Sequence, residues 1–454
     1  MTPSDRGAPG HPAPGQAAAD ALSYRRILAF WLPLAGTWLM MAAEGPYLAA
    51  IIARLPDATD NLAAFGVAFA FAIIIESPVF MLMSASTALV EDGPSYRALR
   101  RFAYRLAALV TAVQIVLLLP PVFDAVTHVL RLPADVAHLT HGALALLLPW
   151  PGAIAYRRFR QGILIRHGQT RRVATGTLIR LAAMSVTAFA AFRAASLPGV
   201  HVGALALSAG VLTEALASRL MTSELVTALR DRPRPAAEME ALRPAALARF
   251  YVPLGLTTFV ALSAQPIVTF FMGQARFPVE SLAVLPVIHG LTFVFRALGL
   301  SYLEVVIALL GSRREHFEQL RDFACVLAVG ATGGLMVIAF TPLAHVWFHT
   351  VSGLSLTLTG FALLPIRILA VFPALSVALH VERALLVHAR RTRPSTTATA
   401  LEVAAVSVIL PLGIHALDLP GAVAAAVAIL AGRIVGVAWL VPPCLRLLRS
   451  EPSP

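Results

Sequence analysis

The 454-residue chain is 58% apolar and only 13% charged, with 36 basic and 24 acidic residues and a formal net charge of +12. A soluble domain carries about 25% charged residues, so this chain lacks the polar surface to cover a water-exposed exterior. All 36 basic residues are arginine and sit mostly in short stretches between apolar runs, which reads as an orientation signal; no nucleic-acid partner is expected, and the partner the composition implies is the lipid bilayer.

The apolar runs are about 20 residues or longer, enough as helices to cross ~30 Å of hydrocarbon. In chain order they give twelve spans: 27–52, 62–90, 103–123, 139–156, 173–192, 202–227, 247–272, 282–310, 323–344, 356–382, 397–415 and 421–445. Residues 1–22, rich in Pro, Gly and Ala without periodicity, are expected to form a disordered tail. The two cysteines, Cys325 and Cys444, form no CxxC or metal-ligand spacing and are expected to be small core residues. No metal site and no cofactor is expected.

The arginines alternate from loop to loop. One set of loops and tails holds 27, among them Arg97, Arg157, Arg158, Arg160, Arg166, Arg313 and Arg390, and the opposite set holds four: Arg54, Arg131, Arg193 and Arg276. The positive-inside rule then places both termini in the cytoplasm of a multi-pass protein of the cell (inner) membrane.

The chain also matches itself at an offset of about 220. Phe30, Pro33, Leu34, Thr37 and Pro46 recur as Phe250, Pro253, Leu254, Thr257 and Pro266, and Leu197-Pro198-Gly199 recurs as Leu419-Pro420-Gly421. The expected organisation is therefore a six-helix bundle over 23–227, a cytoplasmic linker over 228–246, a second six-helix bundle over 247–449 and a tail over 450–454. An even number of spans per half relates the halves by a pseudo-two-fold axis along the membrane normal. The fold class is an all-α polytopic membrane protein of twelve transmembrane helices in two such bundles. Because the first apolar run matches an internal one, it is expected to be a retained helix and not a cleaved leader.

Ionisable residues inside spans cost ~2.5–3.5 kcal/mol on insertion scales, and each needs a reason. Glu76 and Arg296 share a repeat position with opposite signs, and the expectation is that they approach across a central cleft as a gate or substrate-linked pair. Arg180 and Glu402 show the same reversal near the cytoplasmic boundary, where Arg180 can snorkel. Arg367 and Arg433 lie mid-span and, with Arg296, give the second half three guanidiniums whose forks suit carboxylate or phosphate oxygens. His289 precedes Arg296 by two helical turns on the same face, with Phe293 between them. Glu44, two residues before Pro46, is the candidate for proton coupling, since proline weakens the helix there. Glu214 and Arg219 are expected to satisfy one another.

An aromatic-x-x-Pro-Leu element opens each half. With Phe30 to Leu34, Leu62-Ala63-Ala64-Phe65-Gly66, Gly162-Ile163-Leu164-Ile165-Arg166-His167, Pro266-Ile267-Val268 with Phe271, and Pro365-Ile366-Arg367-Ile368 followed by Phe372-Pro373, the chain resembles the MOP exporter superfamily that includes the MATE exporters. Within it the chain is most similar to the progressive ankylosis family, as a bacterial-type member. The resemblance implies a MATE-like fold and export of small anions such as pyrophosphate, citrate or ATP, and it matches Arg367 to a family arginine. The first span departs from the family pattern at Glu44-Gly45-Pro46, which is less polar there.

The function expected is a secondary active transporter exporting a small organic or phosphate-bearing anion by alternating access, acting as a monomer, with H+ or Na+ as candidate coupling ion. The alternatives are a proton- or sodium-coupled MATE-type multidrug exporter and a lipid-linked oligosaccharide flippase. No phosphate loop, HExxH or GxSxG motif is present, so the chain is not expected to be an enzyme.

Overall fold

Apolar runs punctuated by proline and glycine produce a chain that is 87% helix. A computed structural model describes residues 22–449 except 53, 131–132, 195–196, 234–238, 241 and 273, and no strand occurs among the described residues. The expected tails lie outside them, apart from Leu22, which is buried in the core; so does the middle of the expected linker.

The first half runs α1 (Tyr24–Ile52), α2 (Ala58–Glu76), α3 (Leu82–Leu89), α4 (Gly93–Leu118), α5 (Pro120–Leu130), α6 (Ala134–Leu146), α7 (Trp150–Arg166), α8 (Thr170–Ala194), α9 (Gly199–Met221) and α10 (Ser223–Arg230). The second runs α11 (Pro244–Met272), α12 (Pro278–Leu309), α13 (Phe317–Phe340), α14 (Leu356–Ile368), α15 (Phe372–His388), α16 (Arg393–His415) and α17 (Gly421–Arg449). Eleven of these segments are long and apolar enough to cross a membrane. α6–α7 is not among them, since its second part carries Arg157, Arg158, Arg160 and Arg166, but it occupies the repeat position of the counted pair α14–α15.

Local chemistry explains the breaks. Proline removes a backbone donor and clashes with the preceding turn, and the interruptions fall beside Pro78, Pro149 and Pro373. By contrast α1 continues past Pro46 to Ile52. α4 starts at a capping box in which Asp92 accepts from the Ser95 backbone N–H at 2.8 Å while the Ser95 hydroxyl answers the Asp92 N–H.

Element bounds repeat between the halves. α1 and α11 are offset by 220 residues at both ends, α2–α3 and α12 likewise, and α6–α7 and α14–α15 by 222. Side chains joining the halves follow the same exchange. Trp31 of α1 donates to the Leu298 carbonyl at 3.3 Å and the Ser301 hydroxyl at 2.8 Å, while its repeat mate Tyr251 of α11 donates to the Pro78 carbonyl at 2.6 Å. Pro78 and Leu298 are themselves 220 apart. The aromatic neighbours match as well, Phe323 on Trp31 and Phe102 on Tyr251. Ser84 donates to Glu304 at 2.9 Å; these two share one repeat position, so the exchange axis passes between them.

These contacts gather at the end of the bundle that carries both termini. There one apolar core runs through both halves, joining Tyr96 and Leu99 to Phe250, Tyr302, Val305 and Leu385. At the opposite end the second half keeps clusters of its own, one around Ile288, Leu335 and Ile366, another around Met272, Leu285 and Leu410. The halves therefore meet at the terminal end and part toward the other. Cys444 is buried as expected, but Cys325 is exposed on the outer face of α13, where an apolar span tolerates it equally well.

A tight crossing holds α7 against α3. A Cβ at Gly162 would collide with the Met83 carbonyl and the Ser86 side chain, whereas one at Gly36 meets nothing within 4 Å. Gly162→Ala is expected to lower stability by about 1–3 kcal/mol and Gly36→Ala to raise it by about 0.4–1 kcal/mol. Thermal unfolding of the detergent-solubilised protein measures both.

Candidate functional site

Each half carries its own cluster of charges. In the first, α7 projects Arg157 and Gln161 from one face, one turn apart, toward fully buried Glu214 of α9. Arg157 Nη1 lies 2.8 Å from Glu214 Oε2, Gln161 Nε2 donates to Oε1 at 3.0 Å, and Thr177 of α8 adds a 3.4 Å bond. Arg180 of α8 pairs with Glu214 at 3.3 Å and also with Glu44 of α1. The chain Glu44–Arg180–Glu214–Arg157 thus stitches four helices together, each charge answered by its neighbours.

Glu76 ends α2 just before the break at Pro78 and is buried, with Oε2 lacking a hydrogen-bond partner. The cations acting on it are Arg158, then Arg157 and Arg180. The Arg158 guanidinium rests 4.9 Å over the Phe80 ring and also acts on Glu304 of α12. Arg157, Arg158, Gln161, Glu304, Trp38 and Met41 border a cavity of about 20 Å³, room for about one water.

The second half is built differently. Arg433 of α17 pairs with Glu402 of α16 at 2.8 Å, and Arg383 of α15 donates to Thr399 at 2.7 Å. The guanidiniums of Arg433 and Arg296 both lie over the Phe372 ring, at 4.8 and 5.1 Å, and Arg296 also approaches Phe293 at 6.0 Å. Among the described residues Arg296 forms no hydrogen bond or ion pair, and its Nε is buried without a partner. The charges acting on it are Arg433, Glu402 and Arg383, three arginines in all around one carboxylate. At the repeat position of Glu214 stands Gly436, over which the Glu402 carboxylate lies. The central acid of the first cluster has no counterpart in the second.

Several expectations are corrected by this geometry. Glu76 and Arg296 do not pair across the cleft; each is oriented by arginines or aromatic rings near its own position. Arg180 does not snorkel, since it is buried between Glu44 and Glu214, and Glu44 is a member of that network and not an isolated acid beside a proline. Glu214 is taken by Arg157 and Arg180, leaving Arg219 exposed. Arg367 is exposed as well: its Nε donates to the Ala339 carbonyl at 3.2 Å and its guanidinium lies 5.6 Å over Phe340. It satisfies a carbonyl that the end of α13 leaves open and stands apart from Arg296 and Arg433. His289 is half-buried on the α12 face that bears Phe293 and Arg296, with Arg296 the charge acting on it.

Sequence reasoning places Arg157, Arg158 and Arg160 in a loop and so misses them, whereas they are buried within α7. Arg160 donates to Thr222 at 2.8 Å and lies over Tyr156. The available signal was the repeat, since the matching stretch in α15 belongs to an uninterrupted apolar segment. Arg383 was missed for the same reason.

Removing Glu214 leaves Arg157 without its carboxylate and Arg180 with one of two. Glu214→Gln is expected to cost about 3–5 kcal/mol, while Arg219→Gln at an exposed site shifts stability by less than about 0.5 kcal/mol. The melting temperature of each purified variant tests the contrast.

No protein-family model and no curated protein matches the sequence. Solved structures do. A multidrug resistance MATE family transporter of the MOP superfamily in its outward-facing conformation has a TM-score of 0.74 at 15% identity, covering 94% of this chain and 97% of that one. A MATE in the straight conformation gives the same values. A MOP superfamily transporter from Pyrococcus furiosus, described by a binding pocket of reverse polarity that suggests a different function, has a TM-score of 0.71 at 16% identity over 94% and 97%. The all-helical chain, with its helices repeated from one half to the other, shares the fold of these MATE transporters of the MOP superfamily.

Proposed function

We propose that the chain is a secondary transporter that exports a small organic or phosphate-bearing anion by alternating access between its halves. It acts as a monomer in the cell (inner) membrane, with both termini cytoplasmic and no cofactor. The observation that carries this reading is Arg296: among the described residues its guanidinium has no ion pair or hydrogen bond, and it is held on Phe293 and Phe372 beside Arg433, with Glu402 acting on it only at longer range. A charge left unanswered in a membrane interior is expensive, and an incoming carboxylate or phosphate answers it bidentately. His289 lies two turns farther along the same face and joins the substrate side. The pyrophosphate, citrate and ATP associated with the progressive ankylosis family are the first substrates to try.

The first half supplies the counterpart of this open site. Its network is closed, its cavity holds about one water, and its arginines and acids balance, so it serves as the half against which the other rocks. Glu76, with an oxygen free of hydrogen bonds, is the better candidate than Glu44 for a coupling ion, H+ or Na+. That same free carboxylate favours one second reading, a proton-coupled multidrug exporter of cations.

Proteoliposomes under imposed pH and sodium gradients distinguish the two. Labelled citrate or pyrophosphate is expected to enter, and Arg296→Gln to reduce its uptake by more than about tenfold through loss of charged hydrogen bonds. Arg367→Gln is expected to leave uptake within twofold, about the scatter of a surface change. Uptake of a cationic dye without anion flux, unaffected by Arg296→Gln, overturns the anion reading.

A further inference from the structure

Away from both charge clusters, the start of α11, the loop between α15 and α16, and the end of α3 enclose a cavity of about 480 Å³ at the terminal end of the bundle. Arg249, Arg390, Arg391 and Arg393 line it, together with apolar walls that include Leu89 and Phe250. All four arginines are exposed, and among the described residues no side-chain hydrogen bond, ion pair or ring contact engages their guanidiniums. The first turn of α16 borders the same space, and helix N-termini favour anions.

An orientation signal requires arginines at this end of the bundle but not their convergence on one cavity. Nor does the fold require three of the four; only Arg393 recurs, as Arg171 in the first half. The repeat mates of Arg249, Arg390 and Arg391 are Ala29, Gly168 and Gln169. Both Gly168 and Arg390 adopt the left-handed backbone, with φ of 73° and 57°, a conformation glycine takes freely and an arginine does not. The second half therefore keeps a strained arginine where the first uses the residue suited to the turn.

Below the cavity, Arg249 heads a stripe along one face of α11. Val252, Leu256 and Phe259 follow it at helical spacing, and they are 52%, 46% and 48% exposed. A cationic hollow continuing into an uncovered apolar track at the start of a membrane span has the shape of a phospholipid: an anionic head above, hydrocarbon below. We propose that this cavity binds the phosphodiester headgroup of an anionic phospholipid, with an acyl chain lying on Val252, Leu256 and Phe259. Because Leu89 comes from the first half and the arginines from the second, the bound lipid touches both halves where they meet.

The test uses full-length protein in uncharged detergent micelles titrated with phosphatidylglycerol, phosphatidylcholine or inorganic phosphate, with melting temperature as the readout. Phosphatidylglycerol is expected to raise the melting temperature saturably, and the other two to leave it unchanged. In the variant carrying Arg249→Gln, Arg390→Gly and Arg391→Gln, the concentration of phosphatidylglycerol needed is expected to rise by about tenfold or more. Since Arg390→Gly restores the residue of the other repeat, this variant folds; the single variant Arg391→Gln, with a smaller expected loss, is read beside it. An undiminished phosphatidylglycerol response in both variants overturns the site. An equal response to phosphatidylcholine overturns headgroup recognition, and an equal response to inorganic phosphate assigns the cavity to a soluble anion instead of a lipid.

Discussion

A guanidinium placed among apolar helices has to be answered, and the way each half answers its guanidiniums organises the whole molecule. Breaking a buried ion pair by removing one partner costs about 3–5 kcal/mol, so a fully paired network is hard to disturb. The first half is such a network: Glu214 is shared by Arg157 and Arg180, and Arg180 reaches on to Glu44. Four helices are fixed to one another by it. The second half sets Arg296, Arg383 and Arg433 around Glu402, with Glu382 acting on Arg383 alone, and hands one arginine to aromatic rings.

Duplication explains how the difference arose without loss of the fold. Arg180 and Glu402 occupy one repeat position with opposite signs, yet each finds its partner within its own half, Arg180 with Glu44 and Glu214, Glu402 with Arg433. A swapped sign is tolerated because the partner lies on an adjacent helix of the same half and can change with it. Glu76 and Arg296 close no ion pair at all: Glu76 faces Arg158 of its own half and Arg296 the rings of Phe293 and Phe372, so opposite signs at equivalent positions do not make a pair across the cleft. Replacing the acid at the position of Glu214 by Gly436 then leaves the second cluster short of negative charge.

Much of the architecture was legible in the sequence because hydropathy and repeats are one-dimensional signals. The apolar runs locate eleven of the helices, and the offset between Leu197-Pro198-Gly199 and Leu419-Pro420-Gly421 is the offset of the helices themselves. The expected fourth span stops at Tyr156 because an arginine buried against Glu214 and an arginine in a loop look identical in sequence; only the partner, 57 residues away for Arg157, tells them apart. Arg433 and Arg296 were recognisable, since they lie deep in apolar runs. Arg367 lies in one too, but the Ala339 carbonyl that claims it belongs to another helix, and a tertiary partner of that kind leaves no trace in local spacing.

The contacts that join the halves are of a different chemical kind from those inside them. Trp31 and Tyr251 donate to main-chain carbonyls, and Ser84 donates to Glu304. Neutral hydrogen bonds contribute only ~0.5–1.5 kcal/mol net, those to charged groups about 1.5–3. Closure resting on a few such bonds and on apolar packing can be reversed by a ligand whose differential affinity is several kcal/mol. An arginine–glutamate lock at the same place would have to be broken in low dielectric at each opening, with both charges then stranded. Among the described residues the ion pairs therefore lie within one half or the other, while the axis between the halves is joined by hydrogen bonds, apolar packing and the longer-range attraction of Arg158 for Glu304.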